Sequence, residues 1–289
     1  GAQLAMGPLP KIDPKLPLDV KVLEETVQDG VKRQSISYVV EGDRRCTAYL
    51  WIPETKAGQH RPAMLALHPT GPLGKGIVAG LGPRANRGYG LELAQRGYVV
   101  LAPDYPSFGD LKDYDFENDK YVSGTMTAIV NHMRGVDLLQ QRSDVDPNKI
   151  GAIGHSLGGH NAIFLGVFDE RIKVVVTSCG WCPFHDYYGG KIVGWTSNRY
   201  MPLLKDKYEL DPDKVPFDFY ELVASLAPRA FLTVSPLRDS NFDYRGVQKA
   251  MPEVAKILGA STSMLKFKAK ESVSLRMLLL AGGDEKMKP

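Results

Sequence analysis

Histidine is scarce in this 289-residue chain and it stops early: all six lie between His60 and His185. Cysteine is scarcer still. The three cysteines, Cys46, Cys179 and Cys182, are an odd number that argues against a disulfide-built scaffold. Cys179 and Cys182 form an isolated C-x-x-C, "CGWC". Without a second pair or a histidine cluster this spacing does not make a zinc site, and two free thiols at a strand end is the simpler account. No apolar run reaches the roughly 18 to 20 residues that span a bilayer; "LRMLLLAGG" falls far short, so no membrane partner is expected. Charge of one sign is not concentrated: the formal net charge is +3 and Lys and Arg are scattered. The basic stripe of a nucleic-acid-binding protein is therefore missing. The first residues, "GAQLAMGPLPK", show no basic segment followed by an apolar one, so no signal peptide is read there. Met6 reads as a start residue with appended residues before it. Compartment and oligomeric state leave no mark on the composition.

What is present is an alternation of strands and helices. A hydrophobic content of 43% over this length suits one large core. "RRCTAYLWIP" (44–53) alternates like a half-exposed antiparallel strand, whereas "PAMLALHP" (62–69) is a continuous apolar run of the buried parallel type. A helix over 88–97 stops at a glycine and leads into the strand "YVVLAPDYP" (98–106). Helical spacing predicts a helix over 123–141, and then come the strand "KIGAIGHS", a helix over 158–168 and the strand "IKVVVTSCG" (172–180). Residues 181–216 break the rhythm with aromatics, glycine and proline and read as an insertion of the kind that forms lids or pocket walls. Alternation resumes with a helix around "DFYELVASL", the strand 229–236, a helix over 244–258 and the strand "SMLKFKA". Units of this kind predict an α/β fold, a mostly parallel central sheet with helices on both faces and a small inserted cap. The expected organisation is an N-terminal tail, 1–17, and a single domain over 18–289 carrying the insertion.

The chemistry is concentrated in Gly154-His155-Ser156-Leu157-Gly158, extended by Gly159. A serine at a strained strand-to-helix turn needs neighbours two positions away that lack side chains. The helix that follows aims N–H groups and its positive dipole end at a developing oxyanion. Here the pattern follows an apolar strand and opens a helix, which is the context that gives it meaning.

With "LHPTG" (67–71), "GYVVLAPDYPSFGD" (97–110), "GHSLGG" (154–159) and "LAPRAFLTVSPLRDSNF" (226–242) in this order, the chain resembles the α/β-hydrolase superfamily. It is most similar to the dienelactone-hydrolase-like and acetylxylan-esterase-like branches. The resemblance runs from about Leu18 to Ala260. True dienelactone hydrolases carry cysteine where this chain has Ser156, so the resemblance implies a carboxylic-ester hydrolase with a serine nucleophile and an acyl-enzyme. It implies an oxyanion hole of the Thr70 and Leu157 amides and a triad acid at Asp239, with Asp243 as runner-up. It implies a small-molecule ester substrate and no metal or organic cofactor.

The family order is serine, acid, histidine, and here every histidine precedes Asp239. After the last strand the chain reads "KESVSLRMLLLAGGDEKMKP", with Val273 and Ser274 near where the histidine belongs, so the segment 260–289 departs from the family pattern. Three explanations stand side by side. The C-terminal segment is altered, as by a frame change; or another histidine serves, His185 in the insertion being the best placed; or the protein is a hydrolase-like binding protein with little catalysis. The expected substrate pocket is walled by Trp181, Phe184, Tyr187 and Trp195 of the insertion, together with Tyr188, and on the opposite side by Tyr105 and Phe108. His68 is expected in the same loop as Thr70, bracing the turn at the pocket's edge.

Overall fold

An Asp29-Gly30 turn sets up the first hairpin. Both residues sit at positive φ, 47° and 80°, the twist that suits a two-residue connection between strands. It joins β1 (Lys21–Gln28) to β2 (Val31–Glu41), which pairs antiparallel with β3 (Arg44–Ile52). In a computed structural model that describes residues 1–13, 15–54, 56, 58–258 and 265–270, these strands are one end of a nine-stranded sheet. Its order is β1-β2-β3-β5-β4-β6-β7-β8-β9. β3 meets β5 (Val99–Pro103) antiparallel, and from there every neighbour is parallel: β4 (Arg61–Leu67), β6 (Val145–His155), β7 (Ile172–Ser178), β8 (Ala230–Pro236) and β9 (Leu265–Lys270). The expected parallel sheet is there, and the 21–41 hairpin is an addition to it. The expectations for 271–289, Val273 and Ser274 included, lie outside the described residues.

Successive strand residues face opposite layers, as a pleated strand requires. Leu65, Leu67, Val99 and Leu101 join the larger core, while Met64, Ala66, Val100 and Ala102 join the smaller. The short α2 (Lys75–Val78) and α3 (Tyr89–Gln95) cover the smaller core. The larger core holds α4 (Gly124–Gln140), α5 (Leu157–Phe168), α7 (Phe219–Ala224) and α8 (Tyr244–Leu258). α4 begins where Ser123 caps it, its Oγ accepting from the Met126 N–H at 3.1 Å.

The insertion between β7 and α7 contains only short turns, among them a 3₁₀ turn at Ile192–Trp195 and α6 (Leu203–Asp206). It is anchored by rings: Trp195 and Phe184 stack on Phe219 of α7 at 5.3 and 5.5 Å, and Tyr187 on Trp195 at 5.3 Å. The residues expected as an N-terminal tail pack here too. α1 (Ala2–Met6) buries Ala5 and Met6 completely. The hydroxyl of Ser123 donates to the Met6 carbonyl at 2.6 Å, and that of Tyr208 to the Leu4 carbonyl at 3.1 Å.

Candidate active site

Ser156 leaves β6 and caps α5 with φ 53° and ψ −119°, a conformation costly for any residue with a side chain. Its surroundings hold it there. A Cβ on Gly154 would stand 2.1 Å from the Gly158 carbonyl oxygen, and one on Gly158 would stand 1.9 Å from that of Leu67. The Ser156 N–H donates to the Ser178 carbonyl at 2.9 Å, tying the turn to the end of β7. Leu157 is the first residue of α5, so its N–H has no partner within the helix. The turn therefore offers a partly exposed hydroxyl beside an open backbone donor.

The loop after β4 faces this turn and is fixed from behind. Asp104, fully buried after β5, accepts from the backbone N–H of Lys75 (2.8 Å), the Lys75 ammonium (2.5 Å), the hydroxyl of Thr47 (2.7 Å) and the N–H of Asp110 (3.2 Å). The same ammonium reaches Asp110 at 2.5 Å. Gly74 and Gly109 make room: a Cβ on either would lie 2.2 or 2.0 Å from the Asp104 carboxylate. The cluster thus joins the loops after β4 and β5 at the base of Thr70–Gly74. Above it, the Thr70 hydroxyl meets the Tyr200 hydroxyl of the insertion at 3.2 Å.

Two cavities open on either side of Ser156. The larger, about 440 Å³, is walled by the loop after β4 (Pro69 to Leu73), by Ile77, by Gly82 to Arg84, and by Arg87 and His155. The smaller, about 70 Å³, is walled by Leu157, His160, Tyr187, Gly194, Trp195, Tyr200, Asn241 and Phe242. Thr70 and Ser156 belong to both.

Asp239 follows β8 as expected. One carboxylate oxygen accepts from the N–H groups of Asn241 (2.7 Å) and Phe242 (3.0 Å), and the other accepts from the Cys179 thiol. Burial and the neighbouring carboxylate push that thiol well above the usual range. Asp243 instead pairs with Arg245 at 2.6 Å on the surface, as a helix-start residue would.

None of the six imidazoles hydrogen-bonds Asp239. His185, the proposed substitute base, is 59% exposed and binds Asp213 at 2.9 Å, away from both cavities. His68 braces two loops: its Nδ1–H donates to the Pro69 carbonyl (2.8 Å) and its Nε2 accepts from the Tyr105 N–H (2.9 Å). Both nitrogens are committed and burial lowers its pKa. His155 contacts the Ser178 hydroxyl through Nδ1 at 3.1 Å, and burial brings its pKa down to about 3. His160, stacked on Trp195 at 4.7 Å, is likewise pushed down to about 3 by burial.

Tyr187 and Trp195 line the smaller cavity as the sequence suggested. Six other residues expected at the pocket, His68 included, line neither cavity. Trp181 is buried with its indole N–H on the Thr233 hydroxyl at 3.0 Å, and Phe184 lies inside the ring cluster under the insertion. Tyr105 and Phe108 pack on Leu157 and Ala128 behind the serine turn, and His68 stands behind Thr70 against Phe108. Tyr188 is 47% exposed on the rim of the insertion. The walls that sequence reasoning missed are Arg84, Arg87, Tyr200, Asn241 and Phe242.

This sheet, with a serine turn after β6 and an acid after β8, defines an α/β hydrolase. Residues 77–287 match the model of the alpha/beta hydrolase family, and the chain belongs to that family. It is similar to YtaP of Bacillus subtilis (strain 168), 26% identical over 269 residues that cover 87% of this chain and 84% of that one. It is also similar to the carbohydrate esterase MZ0003 of an unknown prokaryotic organism, 22% identical over 223 residues; the match spans 68% of this chain and 49% of that longer protein. Among solved structures, the glucuronoyl esterase from Solibacter usitatus superposes with a TM-score of 0.70 at 19% identity, covering 95% of this chain and 87% of that one, which is a likeness of fold.

Proposed function

We propose that the protein is a serine esterase acting on small-molecule esters through an acyl-enzyme. Ser156 Oγ attacks the ester carbonyl carbon, and the Thr70 and Leu157 N–H groups hold the oxyanion. The alcohol departs with a proton, and water then releases the acid. The observation that carries this reading is the placement of Ser156, held at φ 53° on a wall common to two cavities. The similarity to a protein named as a carbohydrate esterase supports the reaction class. No step calls for a metal or an organic cofactor.

Asp239 is the residue that would orient a base, yet its carboxylate is taken up by Cys179, Asn241 and Phe242. We therefore expect weak turnover. Loss of a triad histidine alone costs about 10⁶ in rate, and the remaining site still exceeds water by roughly 10³ to 10⁴. The same observation favours a second reading, a hydrolase-like protein that binds esters without turning them over.

Hydrolysis of p-nitrophenyl acetate by the wild type and by Ser156→Ala, with fluorophosphonate labelling of both, separates the two. Slow, Ser156-dependent turnover with labelling of Ser156 supports the esterase. Equal rates in both proteins with no labelling leave only the binding protein.

A further inference from the structure

The smaller cavity beside Ser156 has a buried, unpaired donor in its wall. Among the described residues the indole N–H groups of Trp51 and Trp195 are buried without a hydrogen-bond partner, and of these two only Trp195 lines a cavity beside Ser156. The third indole, that of Trp181, donates to the Thr233 hydroxyl at 3.0 Å. Trp195 is 4% exposed and is held from several sides. His160, Tyr187, Phe219 and Phe242 crowd it with ring centroids 4.7 to 6.0 Å away, and its carbonyl accepts from the Met201 N–H at 2.9 Å. Other polar groups of the same wall are engaged. The Tyr200 hydroxyl meets that of Thr70 at 3.2 Å, and the backbone N–H groups of Asn241 and Phe242 donate to Asp239.

A buried donor left unpaired is costly, and an occupant that supplies an acceptor removes that cost. At about 70 Å³ the cavity has room for about two or three heavy atoms, a water's share of the liquid being about 30 Å³. Leu157, whose N–H is proposed to hold the carbonyl oxygen, walls this cavity and not the larger, which places the acyl half here. The alcohol must leave and water must enter while the acyl group stays on the serine. The larger cavity, about 440 Å³, has the space for that exchange. We propose that the smaller cavity receives a short acyl chain bearing an ether or hydroxyl oxygen, and that Trp195 selects it by donating its indole N–H to that oxygen. The acyl assignment rests on the esterase reading of Ser156; the preference for an acceptor rests on the indole and the cavity.

The test is calorimetric binding to the Ser156→Ala protein of benzyl methoxyacetate and of benzyl butyrate, in which a methylene replaces the ether oxygen at the same chain length. The methoxyacetate is expected to bind at least about fivefold more tightly, the usual worth of a neutral hydrogen bond. Trp195→Phe keeps a ring but removes the N–H, and in that background the two esters should bind equally. Benzyl hexanoate, longer by two carbons, should bind at least about tenfold more weakly than the butyrate although it is more apolar. That comparison needs no change at Trp195, so it decides the matter even if Trp195→Phe does not fold. Equal affinities of the first two esters, a preference that survives Trp195→Phe, failure of the methoxyacetate to bind, or a hexanoate as tight as the butyrate would overturn the proposal. Hydrolysis of the same esters by the wild type is read in parallel. A binding preference without Ser156-dependent hydrolysis removes the esterase reading and leaves the acceptor site; Ser156-dependent hydrolysis without a preference does the reverse.

Discussion

The thiol of Cys179 and the carboxylate of Asp239 are hydrogen-bond partners across the ends of β7 and β8. Cys179 holds this place at φ 52°, with its N–H donating to the Val234 carbonyl at 2.8 Å. The partnership and the burial keep the thiol protonated. An aromatic disulfide reagent at about pH 8 is therefore expected to react with Cys179 at least about 100-fold more slowly than with free cysteine, because only the thiolate attacks. After unfolding, all three cysteines should react at ordinary rates. Rapid modification of Cys179 in the native protein would show that the contact with Asp239 does not hold in solution.

A second expectation concerns the pH dependence of any Ser156-dependent hydrolysis. His155 and His160 are pushed down to about 3 by burial, and both nitrogens of His68 are occupied. With no imidazole titrating near neutrality beside the serine, the rate should climb with hydroxide, about tenfold per pH unit between about pH 6 and 9. A plateau with a midpoint near 7 would reveal a histidine base, and His185→Ala would then be the variant to make.

The Lys75–Asp104 pair gives a third. Lys75 is 3% exposed and Asp104 is fully buried. Lys75→Met strands a buried carboxylate and is expected to cost about 3 to 5 kcal/mol in urea unfolding. It should also slow fluorophosphonate labelling, since the loop from Thr70 to Gly74 loses its anchor. Lys75→Met with unchanged stability would mean that the pair is not closed in solution.

A fourth is acid sensitivity. His132, His155 and His160 are each lowered from 6.5 to about 3 by burial. Below about pH 6.5 the unfolded chain takes up protons that the folded one refuses, so stability present above that pH is lost as the pH falls toward 3. The slope is about 1.4 kcal/mol per pH unit for each imidazole while its unfolded form is protonated. Asp218 works the other way. Burial raises its carboxyl to about 6, so its contribution is greatest in acid and is lost as the pH rises through 6. Three groups outweigh one, and the urea midpoint should be lower at about pH 5 than at about pH 7; an equal or higher midpoint at the lower pH would contradict these burials.

How far the chain could be read from its sequence depended on whether the signal was local. The elbow at Ser156 was legible because strand, turn and helix are contiguous and its glycines answer to contacts within a few residues or to the adjacent strand. The hairpin over 21–41 was legible in principle, through Asp-Gly between two polar-apolar runs, but its strand β1 is mostly exposed and shows no clean alternation. The aromatic residues of the insertion were not. Trp181 and Trp195 look alike in sequence, and only the long-range contacts with Thr233 and Phe219 send one into the core and the other to a cavity wall. Arg84 and Arg87 sit in a glycine- and proline-rich loop whose course is fixed by distant packing, so nothing nearby in the chain announces that they reach the serine.

The partition between the two cavities is narrow: Thr70 and Ser156 are the residues common to both. An ester cleaved at Ser156, as proposed, would have its two halves in separate chambers, one bordered by Arg84, Leu73 and Ile77 and the other by Trp195, Tyr187 and Phe242. Walls that share no other residue should contribute additively to selectivity. Preference for the acid and preference for the alcohol could then drift, or be redesigned, one at a time, each bank of the cleft being free to change without renegotiating the other.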